Sequence, residues 1–238
     1  MASPTIVLVH GAFADASSWR PVFDRLDRDG HTLLAPPNPL RGLPHDASYT
    51  ASVIDLIDGP VVLVGHSYGG AVITVAGSSE KVVGLVYVAG VVPDEGESVN
   101  DLQGRFPSLA MGPLVQPVSL PDGSVELSID PARFPDVFGA DLPAADAAFR
   151  AISQRSIAAT AFDDRATAAA WRATPSWAVF GTADHPVAPE LQRFAYDRAG
   201  STVTEVEGAS HLLMMSQPDI VAGVIREAVL ASAVSRAA

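Results

Sequence analysis

The sequence contains no cysteine. Disulfides, thiolate metal sites and a cysteine nucleophile are therefore excluded. Lysine is nearly absent, with Lys81 the only one. Charged residues are 18% of the chain, and 27 Asp and Glu against 15 Lys and Arg give a formal net charge of −12. Nucleic-acid binding needs a basic stripe to displace counterions, and none is present. The 6 histidines are scattered and form no HExxH pattern, which argues against a metal site. No apolar run approaches the ~20 residues of a membrane span. The opening "MASPTIVLVHGAF" has no basic flank of the signal-peptide kind. These absences lead us to expect a soluble, cytoplasmic protein with no cofactor, no metal, no nucleic-acid partner and no membrane partner.

What is present is apolar material in short runs. Hydrophobic residues make up 48% of the 238 residues, ample for a core. Strand candidates are Thr5–Val9, Thr32–Ala35, Val61–Val64, Val82–Val88, Ser176–Phe180 and Thr202–Val206. Most are apolar on both faces, as in a parallel sheet buried under helices. Helix candidates alternate with them: Ser18–Asp29, Ser48–Asp58, Gly69–Gly77, Pro189–Ala199 and Gln217–Ala233. This alternation predicts a doubly wound α/β fold with a mostly parallel sheet of about six strands and helices on both faces. Residues 93–174 break the rhythm. "PVSLPDGSVELSI" reads as a small hairpin turning at Asp122-Gly123, and the Ala-rich stretch from Asp130 to Trp171 reads as several helices. The segment is too long for an ordinary loop. We expect a lid inserted into a core made of 1–92 and 175–238.

"VVLVGHSYGG", Val61 to Gly70, places a serine between an apolar strand and an Ala-rich helix. That is the setting a G-x-S-x-G elbow requires. Gly65 and Gly69 lack a Cβ, so neighbouring backbone can crowd Ser67 and push it into the open. The helix N-terminus favours a developing anion, and the Tyr68 amide can point at it. A serine hydroxyl needs a base, and the base needs an orienting carboxylate. In elbow enzymes the order is Ser, then Asp or Glu after a later strand, then His after the last. "SWAVFGTADHPVAP" offers Asp184, and "STVTEVEGASHLLMMSQP" offers His211.

Other residues compete for these roles. His185 is adjacent to Asp184 and cannot easily bond it while reaching Ser67, so it reads as a surface or structural residue. His66 is expected to pack beneath the turn, and His31 to be exposed. Asp94 is the rival acid after Val82–Val88. Asp163 and Asp164 read as solvated or capping residues of the lid. In the first loop, "VLVHGAFADASSW", Gly11 permits close approach. Ala12 is the candidate for the second oxyanion amide, with Phe13 its rival, and His10 braces the loop.

Together "LVHGAF", "GHSYGG", "GTADHPV" and "GASHLLMMSQP" resemble the α/β-hydrolase superfamily across nearly the whole chain outside the lid. The short chain is similar to small plant methylesterases, hydroxynitrile lyases and their bacterial esterase relatives. The resemblance implies a cap inserted after the fourth strand, a catalytic set of Ser67, Asp184 and His211, and an oxyanion hole from the Ala12 and Tyr68 amides. Hydroxynitrile lyases of this group carry a lysine after the catalytic His and a threonine after the first-loop His. Here Leu212 and Gly11 stand in those positions, which favours ester hydrolysis. The alternatives are a lactonase, a perhydrolase or a lyase on the same residues, or a non-catalytic ligand receptor. Among the lid's apolar residues are Phe106, Leu109, Met111, Leu114, Phe134, Phe138 and Trp171. Phe13, Met111, Phe138 and Leu212 are the substrate-binding candidates. The expected partner is a small ester, and the expected assembly a monomer or homodimer.

Overall fold

The computed structural model describes residues 3–106 and 112–235. In chain order, β1 (Thr5–Val9) leads through a single-turn helix, Ala16–Trp19, to α1 (Arg20–Arg28), β2 (Leu33–Leu34) and α2 (Leu43–Asp55). Then come β3 (Val61–His66), α3 (Tyr68–Ala76) and β4 (Val82–Val88). A long excursion carries α4 (Val99–Gln103), β5 (Val115–Ser119), β6 (Val125–Ile129), α5 (Phe134–Phe138), α6 (Ala144–Ile152) and β7 (Ile157–Ala158). The chain returns through β8 (Ser176–Gly181), α7 (Pro189–Arg198) and β9 (Thr202–Val206), and ends in α8 (Leu213–Ser216) and α9 (Pro218–Ser235).

Six parallel strands form one sheet in the order β2-β1-β3-β4-β8-β9. Every residue of β1, β3 and β8 is buried, so these Val- and Leu-rich runs are covered on both faces. The chain steps from β1 outward to β2, then crosses back past β1 to β3. Right-handed crossovers therefore place α1 on one face and α2 and α3 on the other. α9 packs against α1 and also covers β4 and β8. The reversal leaves a crevice beyond the carboxyl ends of β1 and β3, where ligands of open α/β sheets bind. Register aligns these ends: Val9 pairs with Gly65, and Gly65 with Tyr87.

The structure differs from expectation at several boundaries. α2 begins at Leu43 rather than Ser48, because Pro44 supplies the fixed φ of a first turn and Asp164 accepts a hydrogen bond from Leu43 N at 2.9 Å. It ends at Asp55 rather than Asp58. β2 is only Leu33–Leu34, a short edge strand. The hairpin of β5 and β6 turns at Gly123, at φ 85°, and gains a third strand, β7. Among the described residues no helix is long and apolar enough to cross a membrane.

Candidate active site

Ser67 stands between β3 and α3 at φ 53° and ψ −124°. For a residue with a Cβ this backbone is strained by about 1–3 kcal/mol. Neighbours hold it: Ser67 N donates to Val88 O at 3.2 Å, and Ser67 O accepts from Gly70 N at 2.8 Å and Val91 N at 3.0 Å. A Cβ on Gly65 would lie 2.5 Å from Gly69 O, and one on Gly69 2.6 Å from Val9 O. The turn closes only because both are glycine.

Asp184 follows β8 and His211 follows β9, and both are buried. His211 Nδ1 lies 2.8 Å from Asp184 Oδ2. The carboxylate also accepts from Val187 N at 2.9 Å on Oδ1 and from Gln192 Nε2 at 2.9 Å on Oδ2. A carboxylate has no hydrogen to give, so Nδ1 carries the proton that faces Asp184. Nε2 is buried without a hydrogen-bond partner among the described residues. His66 Nε2 donates to His211 O at 3.0 Å, and the two rings lie 4.7 Å apart. Burial, and then the proximity of His211, hold His66 well below the usual imidazole range, so it stays neutral. The Phe138 ring meets His211 edge-on at 5.5 Å.

His10 braces the first loop. Its Nδ1 donates to Gly11 O at 2.9 Å, its Nε2 accepts from Asn38 N at 3.0 Å, and Asn38 Nδ2 donates to His10 O at 3.0 Å. Burial pushes the His10 pKa down to about 4. Tyr68 OH donates to the buried Asp46 carboxylate at 2.8 Å. Burial, then the Asp46 charge, push the phenol up, so it stays protonated.

A cavity of about 490 Å³ opens onto Ser67, Tyr68, Ala12 and Phe13. Most of the remaining wall comes from residues 93–174, including Val99, Leu127, Ile129, Phe138 and Phe162. Phe13 meets Phe138 edge-on at 6.0 Å and stacks near Phe162 at 6.3 Å. Asn100 and Asp163 are exposed members of the wall, joined by a 2.8 Å hydrogen bond. Among the described residues no lysine, arginine or histidine lines it.

Of the substrate-binding candidates, Phe13 and Phe138 stand on this wall, while Met111 lies outside the described residues, as does Leu109. Leu212 is not on it: the residue is buried, and its amide donates to Phe138 O at 3.0 Å. Phe106 packs on Phe194, Phe134 stacks on Phe138, and Leu114 is core. Trp171 Nε1 donates to Pro93 O at 3.0 Å. Asp94 is paired with Arg172 at 2.7 Å, not with His211. Asp164 caps the start of α2, and His185 is exposed while His31 is half-buried. Phe162, Asn100 and Gln192 carry no signal in the sequence, where each reads as an ordinary helix or loop residue. Among the described residues no group of three or more His, Cys, Asp or Glu could hold a metal ion.

The sequence profile of the alpha/beta hydrolase family matches residues 6–224. The chain belongs to the alpha/beta hydrolase family. This alpha/beta hydrolase is 25% identical to Methylesterase 8 of Arabidopsis thaliana over 243 residues, covering 90% of the chain and 85% of that protein. It is 34% identical to the carbendazim hydrolyzing esterase of Nocardioides sp. (strain SG-4G) over 107 residues, 39% of the chain. That match spans 44% of the relative's length. Among solved structures, polyneuridine aldehyde esterase superposes with a TM-score of 0.82 at 22% identity, covering 95% of this chain and 99% of that one. The pyrethroid hydrolase from Sphingobium faniae JZ-2 gives 0.77 at 22%, covering 98% and 99%. At such identities the structural likeness shows the alpha/beta hydrolase fold alone.

Proposed function

We propose that this protein is a serine carboxylic ester hydrolase acting on small or medium neutral esters through an acyl-enzyme. The observation that carries the reading is His211, whose Nδ1 is committed to Asp184 while its buried Nε2 has no partner among the described residues. Such a nitrogen is a general base ready for a hydroxyl. Nε2 takes the proton of Ser67 Oγ as the oxygen attacks the ester carbonyl. Asp184 keeps the imidazole in the required tautomer and stabilises the imidazolium. The Ala12 and Tyr68 amides hold the oxyanion, helped by the positive end of α3. The imidazolium then protonates the departing alcohol. Water activated by His211 cleaves the acyl-enzyme and frees Ser67.

Residues 93–174 act as a cap, since they supply most of the wall around the cavity. That wall is largely apolar, and its one carboxylate among the described residues, Asp163, disfavours anionic substrates. Leu212 after His211 puts no cation where a departing cyanide would need one, which supports hydrolysis over lyase chemistry. The test is hydrolysis of p-nitrophenyl acetate and octanoate by wild type and Ser67→Ala. Turnover that disappears in the variant supports the reading. Unchanged turnover in Ser67→Ala overturns the nucleophile, and a folded wild type without turnover points to a ligand receptor.

A further inference from the structure

Asp184 is held from a side that faces away from the cavity. Gln192, on the first turns of α7, is 1% exposed and does not line the cavity. Its Nε2 donates to Asp184 Oδ2 and to Val187 O, both at 2.9 Å, so both amide hydrogens are used. Its Oε1 lies 3.0 Å from Tyr196 OH, one helical turn further on. The single Tyr196 O–H hydrogen is shared between this oxygen and Gly90 O, 2.9 Å away beyond the end of β4. The reverse carboxamide orientation would set Oε1 against a carboxylate and a carbonyl, two acceptors with no hydrogen between them. Only one orientation fits.

We propose that Gln192 is a positioning residue for His211, acting through Asp184, with Tyr196 keeping the carboxamide in place; this rests on the esterase reading above. Oδ2 takes hydrogen bonds from Gln192 and His211 together, while Oδ1 takes one from Val187 N. The carboxylate cannot rotate toward or away from His211 without losing a charge-assisted bond. Val187 contributes both its N and its O to the same brace. The other groups facing the pair are His66 and Tyr196, both kept neutral by burial, and exposed Asp141, which accepts from Ser210 beside His211.

The test uses Gln192→Met, Gln192→Glu and Tyr196→Phe in the full chain. With p-nitrophenyl acetate, kcat falls about ten- to a hundred-fold in Gln192→Met, the loss of one hydrogen bond to a charged group. KM stays within about twofold, because Gln192 does not touch the cavity. In Gln192→Glu a protonated carboxyl keeps the hydrogen bond to Asp184 Oδ2 and the acid limb of the kcat/KM–pH profile stays near wild type, whereas in Gln192→Met Asp184 loses a donor, holds the imidazolium more tightly, and the limb moves upward. Tyr196→Phe shifts the limb the same way by less, and carries the test if the Gln192 variants do not fold. A merely structural Gln192 would lower stability and leave the limb in place, which would overturn the proposal. The low-field proton resonance of His211 Nδ1–H, assigned by its absence in His211→Ala, gives a readout independent of turnover. It shifts in folded Gln192→Met if the brace acts, and an unmoved resonance overturns the proposal. A wild type without esterase activity sinks the functional reading, and the resonance still decides the brace.

Discussion

An Asp184→Asn substitution exchanges one oxygen for an amino group and removes one charge. Every partner of that side chain is a donor: Val187 N on one oxygen, and Gln192 Nε2 and His211 Nδ1 on the other. Whichever way the carboxamide turns, its amino group meets an N–H. If it faces His211, the imidazole moves its proton to Nε2 and no longer offers a base to Ser67. If it faces Val187, a buried backbone donor loses its acceptor, and the imidazolium loses its countercharge. In the first outcome the amino group also meets Gln192 Nε2–H and in the second it meets Val187 N–H, so each strands one fixed donor. Either way His211 loses its countercharge, and where the amino group faces it the tautomer is wrong as well, so kcat should fall by up to about 10⁴. Stability should fall by about 2 kcal/mol, the loss of one hydrogen bond to a buried charge. Steady-state hydrolysis of p-nitrophenyl acetate and urea denaturation measure the two effects. A folded Asp184→Asn protein with kcat within about tenfold of wild type would refute the argument.

Two further outcomes follow from backbone strain and buried imidazoles. Ser67→Gly should raise stability by about 1 kcal/mol, because glycine accepts the positive φ at some cost in unfolded-chain entropy, whereas Ser67→Ala should not. Thermal melts of the two variants side by side would show it, and equal midpoints would count against strain at the elbow. His10 titrates near 6.5 when unfolded but at about 4 when folded. Below pH 6.5 the unfolded chain therefore binds a proton that the folded chain refuses, and stability falls down to about pH 4. The His10 share is up to about 3 kcal/mol, His66 adds to it in the same direction, and urea midpoints that rise as pH is lowered across that window would contradict this.

Local rules make much of this protein legible in its sequence. β-branched runs buried on both faces mark β1, β3, β4 and β8, because the strands of a covered parallel sheet exclude polar side chains. Gly65 and Gly69 mark the elbow because a Cβ at either would collide with backbone. The order of Ser67, Asp184 and His211 follows from which strands end at one edge. What stays hidden depends on contacts between positions far apart in the chain. The early start of α2 needs Asp164, β7 needs the β6 edge, and the cavity wall needs Phe162 brought against Phe13. Gln192 looks like any polar helix residue until α7 packs under the Asp184 loop and buries its carboxamide. Leu212 follows the candidate base in sequence, yet its amide turns to Phe138 and its side chain is buried off the cavity. Sequence alone determined the fold class, the elbow and the order of the candidate residues, because steric and periodic rules act on neighbours. Only the tertiary structure decided the cavity wall, the tautomer of His211 and the brace behind Asp184, because those depend on which distant surfaces meet.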